Sequence, residues 1–490
     1  MTQPEIIFAR ARERVGRLPV SSKFYQALGG LPDAFKTWAF NTFLLLYYNQ
    51  ILGLPASWVS LVLMLALAVD AVTDPMVGAW SDGLRSRFGR RHGMMYASIL
   101  PLGLSLFAIF NPPSGLSHPG LVAWLALFAI GARVAMTFFL IPWSALFPEL
   151  TDDYAERSEV LTWRYLVSGA GTVLFTVAVW SYIFPSSARF TPGQLNPQGY
   201  PIFALVLSLS VMAAALLTTA LTQREIPYLR QPAVGTRFSL RLTLRDTLGT
   251  LRNPDFRILF IGLLLSSTIS GTLGALDIYM MTYFWGLTPE QLRWFAIGGI
   301  GGIIAFALIP ALQKRLDKKH LLIAAMMISL VNGLAFIGMR FAGVLPPADD
   351  PWLLRILLAN EVFRIALAFV IGVMFVSMIA DTIDAQELHS GRRQEGVFSA
   401  AISFANKAIS GLGILAAGIL LDLMVRLPPG VTPATLPPGA AGRLGLTVMA
   451  VSLLYLLPFW IASRYSISRA RHREILYALA ERRTAGLAPN

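Results

Sequence analysis

Long apolar stretches alternate with short polar or Gly- and Pro-rich breaks along almost the whole chain. A transmembrane helix needs about 20 predominantly apolar residues, and the pattern predicts twelve such helices. The segments between them are too short for a soluble domain, so the pattern indicates an all-α membrane protein. The predicted spans are 34–52, 57–80, 93–110, 120–147, 160–184, 201–222, 257–285, 291–313, 321–341, 352–380, 396–424 and 443–465.

The composition agrees with this pattern and excludes several classes of protein. Of the 490 residues, 55% are hydrophobic and 14% are charged, whereas about a quarter of the residues are charged in soluble globular proteins. The chain contains no cysteine, which excludes disulfides, thiolate metal sites and a cysteine nucleophile. It also lacks a P-loop and the common hydrolase motifs, which argues against an ATP-driven pump and a membrane-bound enzyme. We therefore expect no organic cofactor.

The net charge of +13 arises from 40 Lys and Arg against 27 Asp and Glu. Most of the basic residues lie in the terminal segments and in the loops that follow every second span. Membrane proteins collect Lys and Arg in their cytoplasmic loops. The distribution therefore predicts a protein of the cytoplasmic membrane with both termini in the cytoplasm, and it requires no nucleic-acid partner.

A basic central segment separates the first six spans from the last six. We therefore expect two six-helix bundles, the arrangement of secondary transporters that rock about a midplane site. Similar charged segments after the second and eighth spans form a faint internal repeat. The predicted organisation is an N-terminal bundle over 1–222, a cytoplasmic linker over 223–256, a C-terminal bundle over 257–465 and a cytoplasmic tail over 466–490.

Charged residues inside the predicted spans are the candidates for function. A charged side chain near the centre of a bilayer costs at least ~2.5–3.5 kcal/mol, so such residues usually face an interior cavity. Isolated charges on different spans favour a gated cavity over the continuous polar lining of a channel. Those within or near the ends of spans are Asp33, Lys36, Asp70, Asp74, Arg133, Arg164, Asp277, Glu361, Arg364 and Lys407.

Asp70 and Asp74 are the most informative pair. Their spacing of four residues places both carboxylates on one face of a helix, where they repel unless a cation or a proton lies between them. Thr73 can add a hydroxyl oxygen, and Pro75 tends to loosen the preceding turn. We expect a site for Na+ or a proton, and the alternative is a carboxylate pair bonded to neighbouring Arg or Ser side chains.

The other charged residues include one expected ion pair and two residues with competing interpretations. Glu361 and Arg364, three residues apart, can neutralise each other within one span. Lys407 has no acid within a turn of its own span, so it either reaches across to the aspartates or snorkels towards the cytoplasm. Asp277 is placed to face a cavity, with capping by local polar groups as the alternative.

The stretch Asp70-Ala71-Val72-Thr73-Asp74-Pro75-Met76-Val77-Gly78, with the basic run that follows it, resembles the signature of the glycoside–pentoside–hexuronide:cation symporters. This is the melibiose-permease-like branch of the major facilitator superfamily. The segment Ile141-Pro142-Trp143-Ser144 and the span that contains Lys407 resemble the same family. The resemblance implies Na+ ligation by Asp70 and Asp74, with Thr73 and Thr137 at neighbouring ligand positions, and a place for Lys407 between the cation and sugar sites.

Several positions depart from the sugar-transporting members of that family. Leu140 stands where they have an acid, and Ser144 where they have a tryptophan; Trp143 is the aromatic residue here. Asp33 and Arg164 match sugar-binding residues only after a shift in alignment. The segments 25–30 and 142–146 also look like the sodium-dependent lysolipid transporters of the same branch.

The sequence therefore predicts a symporter that couples uptake of a small organic solute to Na+ or H+. A sugar or glycoside is the expected solute, and a lysolipid or other amphiphile is the alternative. We expect a monomer in the lipid bilayer, with Lys407, Asp33, Arg164, Trp143 and Asp277 as substrate or coupling residues. A cytoplasmic gate is expected from Asp82, Arg85, Arg87, Arg90 and Arg91, although these arginines could serve orientation alone.

Overall fold

The computed structural model describes Arg14 and residues 16–84, 88–229, 253–348, 350–390 and 411–484. The regular elements of these residues are all helical, and ten of the helices are long and apolar enough to cross a bilayer. The prediction of an all-α membrane protein is thereby confirmed. The chain divides into two compact units, Met1–Phe238 and Ser239–Asn490.

Unit 1 contains a short helix that precedes the first predicted span and then six longer helical segments. The first of these begins as α2 and continues through the π-helical turns Phe40–Leu44 and Tyr47–Ile51. The helices are α1 (Val20–Leu28), α2 (Leu31–Ala39), α3 (Ala56–Gly83), α4 (His92–Ile109), α5 (His118–Leu150), α6 (Tyr154–Ala178, extended by a π-turn over Val179–Ile183) and α7 (Gly199–Thr222).

The described part of unit 2 also consists mainly of long apolar helices. Its helices are α8 (Pro254–Tyr279, extended by a π-turn over Met280–Phe284), α9 (Pro289–Leu292), α10 (Gly299–Arg315), α11 (Lys318–Phe341), α12 (Pro351–Ser390), α13 (Gly411–Val425), α14 (Ala440–Leu453), α15 (Leu456–Ala462) and α16 (Arg469–Thr484). A 3₁₀ segment over Arg293–Gly298 joins α9 to α10.

Matching turns occur in the two units, after the first long helical segment of each. Both segments end in a π-helical turn and are followed after one residue by a glycine with positive φ, Gly53 at +79° and Gly286 at +70°. In each unit the residue after the glycine donates its N–H to a carbonyl six residues earlier, at 2.9 Å. Glycine suits this position because other residues are strained at positive φ. This repeated turn is a closer match between the two units than the charged segments after the second and eighth predicted spans.

Aromatic side chains fix the π-helical end of the first segment in unit 1. Tyr47 stacks on Tyr200 of α7 with a centroid separation of 4.2 Å, and Phe43 lies 5.0 Å from the ring of Phe184. All four side chains are buried. The cluster therefore holds the ends of two helical segments against α7.

In unit 2 the described part of the predicted tail packs on the bundle through α16. Ile475 and Leu479 of this helix are buried in the apolar core of the unit. The His472 ring lies 3.1 Å from the Asp384 carboxylate of α12, and Ser466 donates to Asp255 of α8 at 2.8 Å. Apolar and polar contacts together thus attach this segment to several helices of the unit.

Candidate functional site

Asp70 and Asp74 lie one turn apart on α3, as predicted from their spacing. The Asp70 side chain is buried and Asp74 is half-buried. The helix continues through Pro75 without a break. Because proline has no N–H, the carbonyl of Ala71 receives no helical hydrogen bond from position 75. The structure therefore places two carboxylates and a weakened turn on the same stretch of helix.

Thr137 of α5 joins the two carboxylates. Its hydroxyl oxygen lies 2.9 Å from Oδ1 of Asp70 and 2.9 Å from Oδ1 of Asp74. A hydroxyl group has one proton to donate, so it can satisfy only one ionised carboxylate. The second short contact becomes favourable when one aspartate is protonated or when the oxygens share a cation. The arrangement is therefore suited to bind one or the other.

Thr73 has a different local partner. Its hydroxyl donates to the backbone carbonyl of Asp70 at 3.3 Å, so its proton is directed along the helix. The resemblance implied a ligand role for both Thr73 and Thr137. In the described contacts it is Thr137 that bridges the carboxylates.

Arg133 lies one helical turn before Thr137 on α5 and approaches Asp70 from the other side. Its Nη1 is 3.6 Å from Oδ2 of Asp70, and both side chains are about nine-tenths buried, with 11% exposed in each case. The sequence predicts Arg133 as an intramembrane charge but does not indicate its partner. Arg133 and Thr137 are four residues apart, and side chains at this spacing share a helix face. This spacing could have indicated that Arg133 lies near the aspartates.

The predicted substrate residues of unit 1 make other contacts. Asp33 pairs with Lys36 of the same helix at 2.8 Å. The guanidinium carbon of Arg164 lies 3.6 Å from the centre of the Trp143 ring. The indole of Trp143 donates to the backbone carbonyl of Gln26 at 2.8 Å. Trp143 therefore ties α5 to α1, and Arg164 covers its ring.

In unit 2 the predicted pairing of Glu361 with Arg364 is confirmed. Two hydrogen bonds of 2.9 and 3.0 Å join the guanidinium to both carboxylate oxygens. Asp277 is half-buried within the continuous helical segment Pro254–Phe284. A carboxylate caps the N-terminus of a helix, so this position does not favour the capping alternative. Lys407 lies outside the described residues.

The described part of the predicted gate centres on an acid that the sequence analysis missed. Arg90 and Arg91 both donate to Glu149 at the end of α5, the latter at 2.7 Å. Arg91 also donates to the Ser81 hydroxyl at 2.9 Å. Arg85, Arg87 and the Asp82 side chain lie outside what the structure describes. Glu149 is separated from Arg90 and Arg91 by 59 and 58 residues in sequence, so only tertiary packing reveals the contact.

Replacing Glu149 by Gln is expected to destabilise the protein. The Arg91 and Glu149 side chains are 6% and 10% exposed, and removing one partner of a buried ion pair costs about 3–5 kcal/mol. The thermal unfolding temperature of the purified variant measures the effect. Glu474→Gln is the matched control, because Glu474 pairs with Arg471 at an exposed site where an ion pair contributes about 0–1 kcal/mol. Equal unfolding temperatures for the two variants would contradict a structural role for Glu149.

The chain is similar to several transporters. It shares 26% identity with the inner membrane symporter YicJ of Escherichia coli (strain K12), over 92% of this chain and 94% of that protein. It shares 24% with the isoprimeverose transporter of Lactiplantibacillus pentosus, over 83% and 80%. The sodium-dependent lysophosphatidylcholine symporter 1 of Gallus gallus is 34% identical, over only 34% of this chain and 31% of that protein.

A solved structure shows the same fold. The crystal structure of a bacterial homologue of the human lysosomal transporter Spinster matches with a TM-score of 0.65 at 13% identity, over 94% of this chain and 99% of that one. The sequence profile of the family described as MFS/sugar transport protein matches residues 25–469. These findings confirm the resemblance to the glycoside–pentoside–hexuronide:cation symporters. The chain is thus a multi-pass membrane protein that belongs to the MFS/sugar transport protein family.

Proposed function

We propose that this protein is a symporter that uses a gradient of Na+ or protons to take up a sugar or glycoside by alternating access. The observation that carries the proposal is the short contact of the Thr137 hydroxyl with both Asp70 and Asp74. One hydroxyl proton serves one ionised carboxylate, so the three oxygens are matched to a bound cation or an added proton. Family membership and the named symporters among the relatives support the same function.

The proposed architecture has twelve spans in two six-helix bundles, with both termini in the cytoplasm. Ten helices of spanning length support it, together with the interrupted segment Leu31–Ile51 and the shorter helix Gly411–Val425. The matching turns at Gly53 and Gly286 support two related halves. We retain the bounds 1–222, 223–256, 257–465 and 466–490 for the bundles, linker and tail.

In the proposed cycle the cation binds first at Asp70, Asp74 and Thr137. Binding lowers the negative charge of α3 inside the bilayer, which lowers the cost of moving this helix during reorientation. Release of the cation to the cytoplasm restores the charge. Arg90 and Arg91, held by Glu149, belong to the proposed cytoplasmic gate.

The proposed solute is a sugar or glycoside because the isoprimeverose transporter matches most of this chain. The lysolipid alternative is supported by a higher identity over about a third of the chain. Leu140 also favours the alternative, because an apolar residue there offers no hydrogen bond to a sugar hydroxyl. Asp33, Trp143, Arg164, Asp277 and Lys407 remain the proposed substrate or coupling residues.

A thermal-shift screen of the purified protein tests this function. Sugars, glycosides and lysolipids are each added with NaCl or with choline chloride, at two pH values. A ligand at 100 times its dissociation constant stabilises the folded state by about 2.7 kcal/mol. We expect stabilisation by a sugar or glycoside that increases with Na+ or with lower pH. Stabilisation by lysolipids alone selects the alternative, and a solute effect independent of both cations contradicts symport.

A further inference from the structure

We propose that Arg133 is a tethered cation that competes with the coupling ion for Asp70 and thereby sets the affinity of the site for that ion. The proposal rests on the proposed function, since it concerns the same carboxylates. It goes further because it assigns a role to a residue outside the family signature, and because it predicts the direction in which cation affinity changes.

The two carboxylate oxygens of Asp70 have different neighbours. Oδ1 lies 2.9 Å from the Thr137 hydroxyl, on the side shared with Asp74. Oδ2 lies 3.6 Å from the guanidinium of Arg133. The positive charge of Arg133 therefore acts on the same carboxylate that the bound cation would contact. Two positive charges that share one carboxylate weaken each other's binding.

The Arg133 ion pair is loose in comparison with another intramembrane pair of this chain. Arg364 binds Glu361 through two hydrogen bonds of 2.9 and 3.0 Å, the geometry expected of a strong guanidinium–carboxylate pair. The Arg133 contact is longer than a hydrogen bond, and its buried Nε has no hydrogen-bond partner. Asp33 and Asp74 also attract the charge of Arg133. The guanidinium can therefore give up its longer contact with Asp70 to an incoming ion and still lie near other acids.

Phe40 offers the displaced guanidinium a second position. The guanidinium carbon of Arg133 lies 5.9 Å from the centre of the Phe40 ring, within the range of a cation–π interaction. Phe40 is buried at the start of the first π-helical turn of unit 1. Arg133 thus lies between a carboxylate on α3 and an aromatic ring, and we expect the bound cation to shift it towards the ring.

The test is the Na+ concentration that gives half-saturation of 22Na+ binding to the full-length protein in lipid nanodiscs. If protons are the coupling ion, the pH midpoint of solute binding replaces it. Arg133→Gln is expected to lower the half-saturating concentration about tenfold or more, or to raise the pH midpoint by about one unit, because a nearby competing charge is removed. Arg133→Lys keeps the charge, so its half-saturating concentration or pH midpoint should be close to that of the wild-type protein.

Two matched variants separate this effect from a loss of folding. Arg364→Gln removes the tight pair of unit 2, and it should lower thermal stability while leaving half-saturation unchanged. Phe40→Leu keeps every charge but removes the ring that receives the displaced guanidinium. It should therefore weaken binding of the coupling ion by a few-fold. Competition predicts that Arg133→Gln raises the affinity for the coupling ion and that Phe40→Leu lowers it. General destabilisation would change the affinity of both variants in the same direction.

The outcomes distinguish this inference from the proposed function. If Asp74→Asn retains wild-type cation binding, the cation site itself is wrong. If Asp74→Asn loses binding while folded Arg133→Gln shows wild-type or weaker affinity, only the role of Arg133 is overturned. Should Arg133→Gln fail to fold, Phe40→Leu decides the matter, and an unchanged half-saturation in that variant overturns the inference.

Discussion

Asp74→Asn is expected to abolish cation-driven accumulation of solute while leaving a folded protein that still exchanges solute across the membrane. Asparagine keeps the size of the side chain and one acceptor oxygen, but it carries neither a negative charge nor a titratable proton. The Thr137 hydroxyl lies 2.9 Å from Oδ1 of Asp74 and can donate to the asparagine oxygen. The local packing should therefore survive while the charge that attracts the cation is lost.

Proteoliposomes with an imposed Na+ or pH gradient measure accumulation, and counterflow without a gradient measures exchange. Asp350→Asn is the control, because Asp350 lies in a loop and accepts a hydrogen bond from the Trp352 N–H that asparagine can also accept. Full gradient-driven uptake by Asp74→Asn would rule out the cation assignment. Loss of accumulation in both variants would point to a general effect of losing a carboxylate.

Sequence predicts the helical architecture well because the bilayer restricts the choice. Every backbone polar group inside a membrane must be satisfied, so long apolar stretches become helices. The ends of these helices were less predictable. The π-helical turns over Phe40–Leu44, Tyr47–Ile51 and Met280–Phe284 depend on aromatic packing and on the glycine turns that follow, and composition carries no clear mark of either.

The candidate site was predictable as far as it depends on one helix. Asp70 and Asp74 share a face because their spacing is local, and Glu361 and Arg364 pair for the same reason. The approach of Arg133 to Asp70 depends instead on how α5 packs against α3. Such contacts join residues distant in sequence, and a single sequence contains no measure of them.

The same distinction applies to α1, which the sequence analysis did not predict. Lys23 is 3% exposed and pairs with Glu159 of α6, while the Gln26 amide donates to the Trp143 carbonyl at 3.2 Å. Polar residues of this kind usually indicate an exposed segment. They are buried here because partners on α5 and α6 satisfy them, which becomes visible only once those helices are in place.

Helix packing in unit 2 leads to the second large expected effect, for Gly301→Ala. A β-carbon at this position of α10 would lie 2.1 Å from the carbonyl oxygen of Val362 and 2.8 Å from the backbone nitrogen of Ala366, both on α12. Small residues allow membrane helices to approach this closely. Because the obstructing atoms belong to the backbone, the clash is relieved only if the two helices move apart.

We expect Gly301→Ala to lower the free energy of unfolding by about 2–3 kcal/mol, as overpacking commonly does, and therefore to lower the unfolding temperature. Gly299→Ala on the same helix is the matched control, since a β-carbon there meets no atom within 4 Å. Alanine is favoured over glycine in a helix by at most about 1 kcal/mol, so this control should be as stable as the wild-type protein or slightly more so. Equal unfolding temperatures for the two variants would show that α10 and α12 are not in backbone contact at Gly301, whereas a fall confined to Gly301→Ala would locate the closest packing of these helices at that residue.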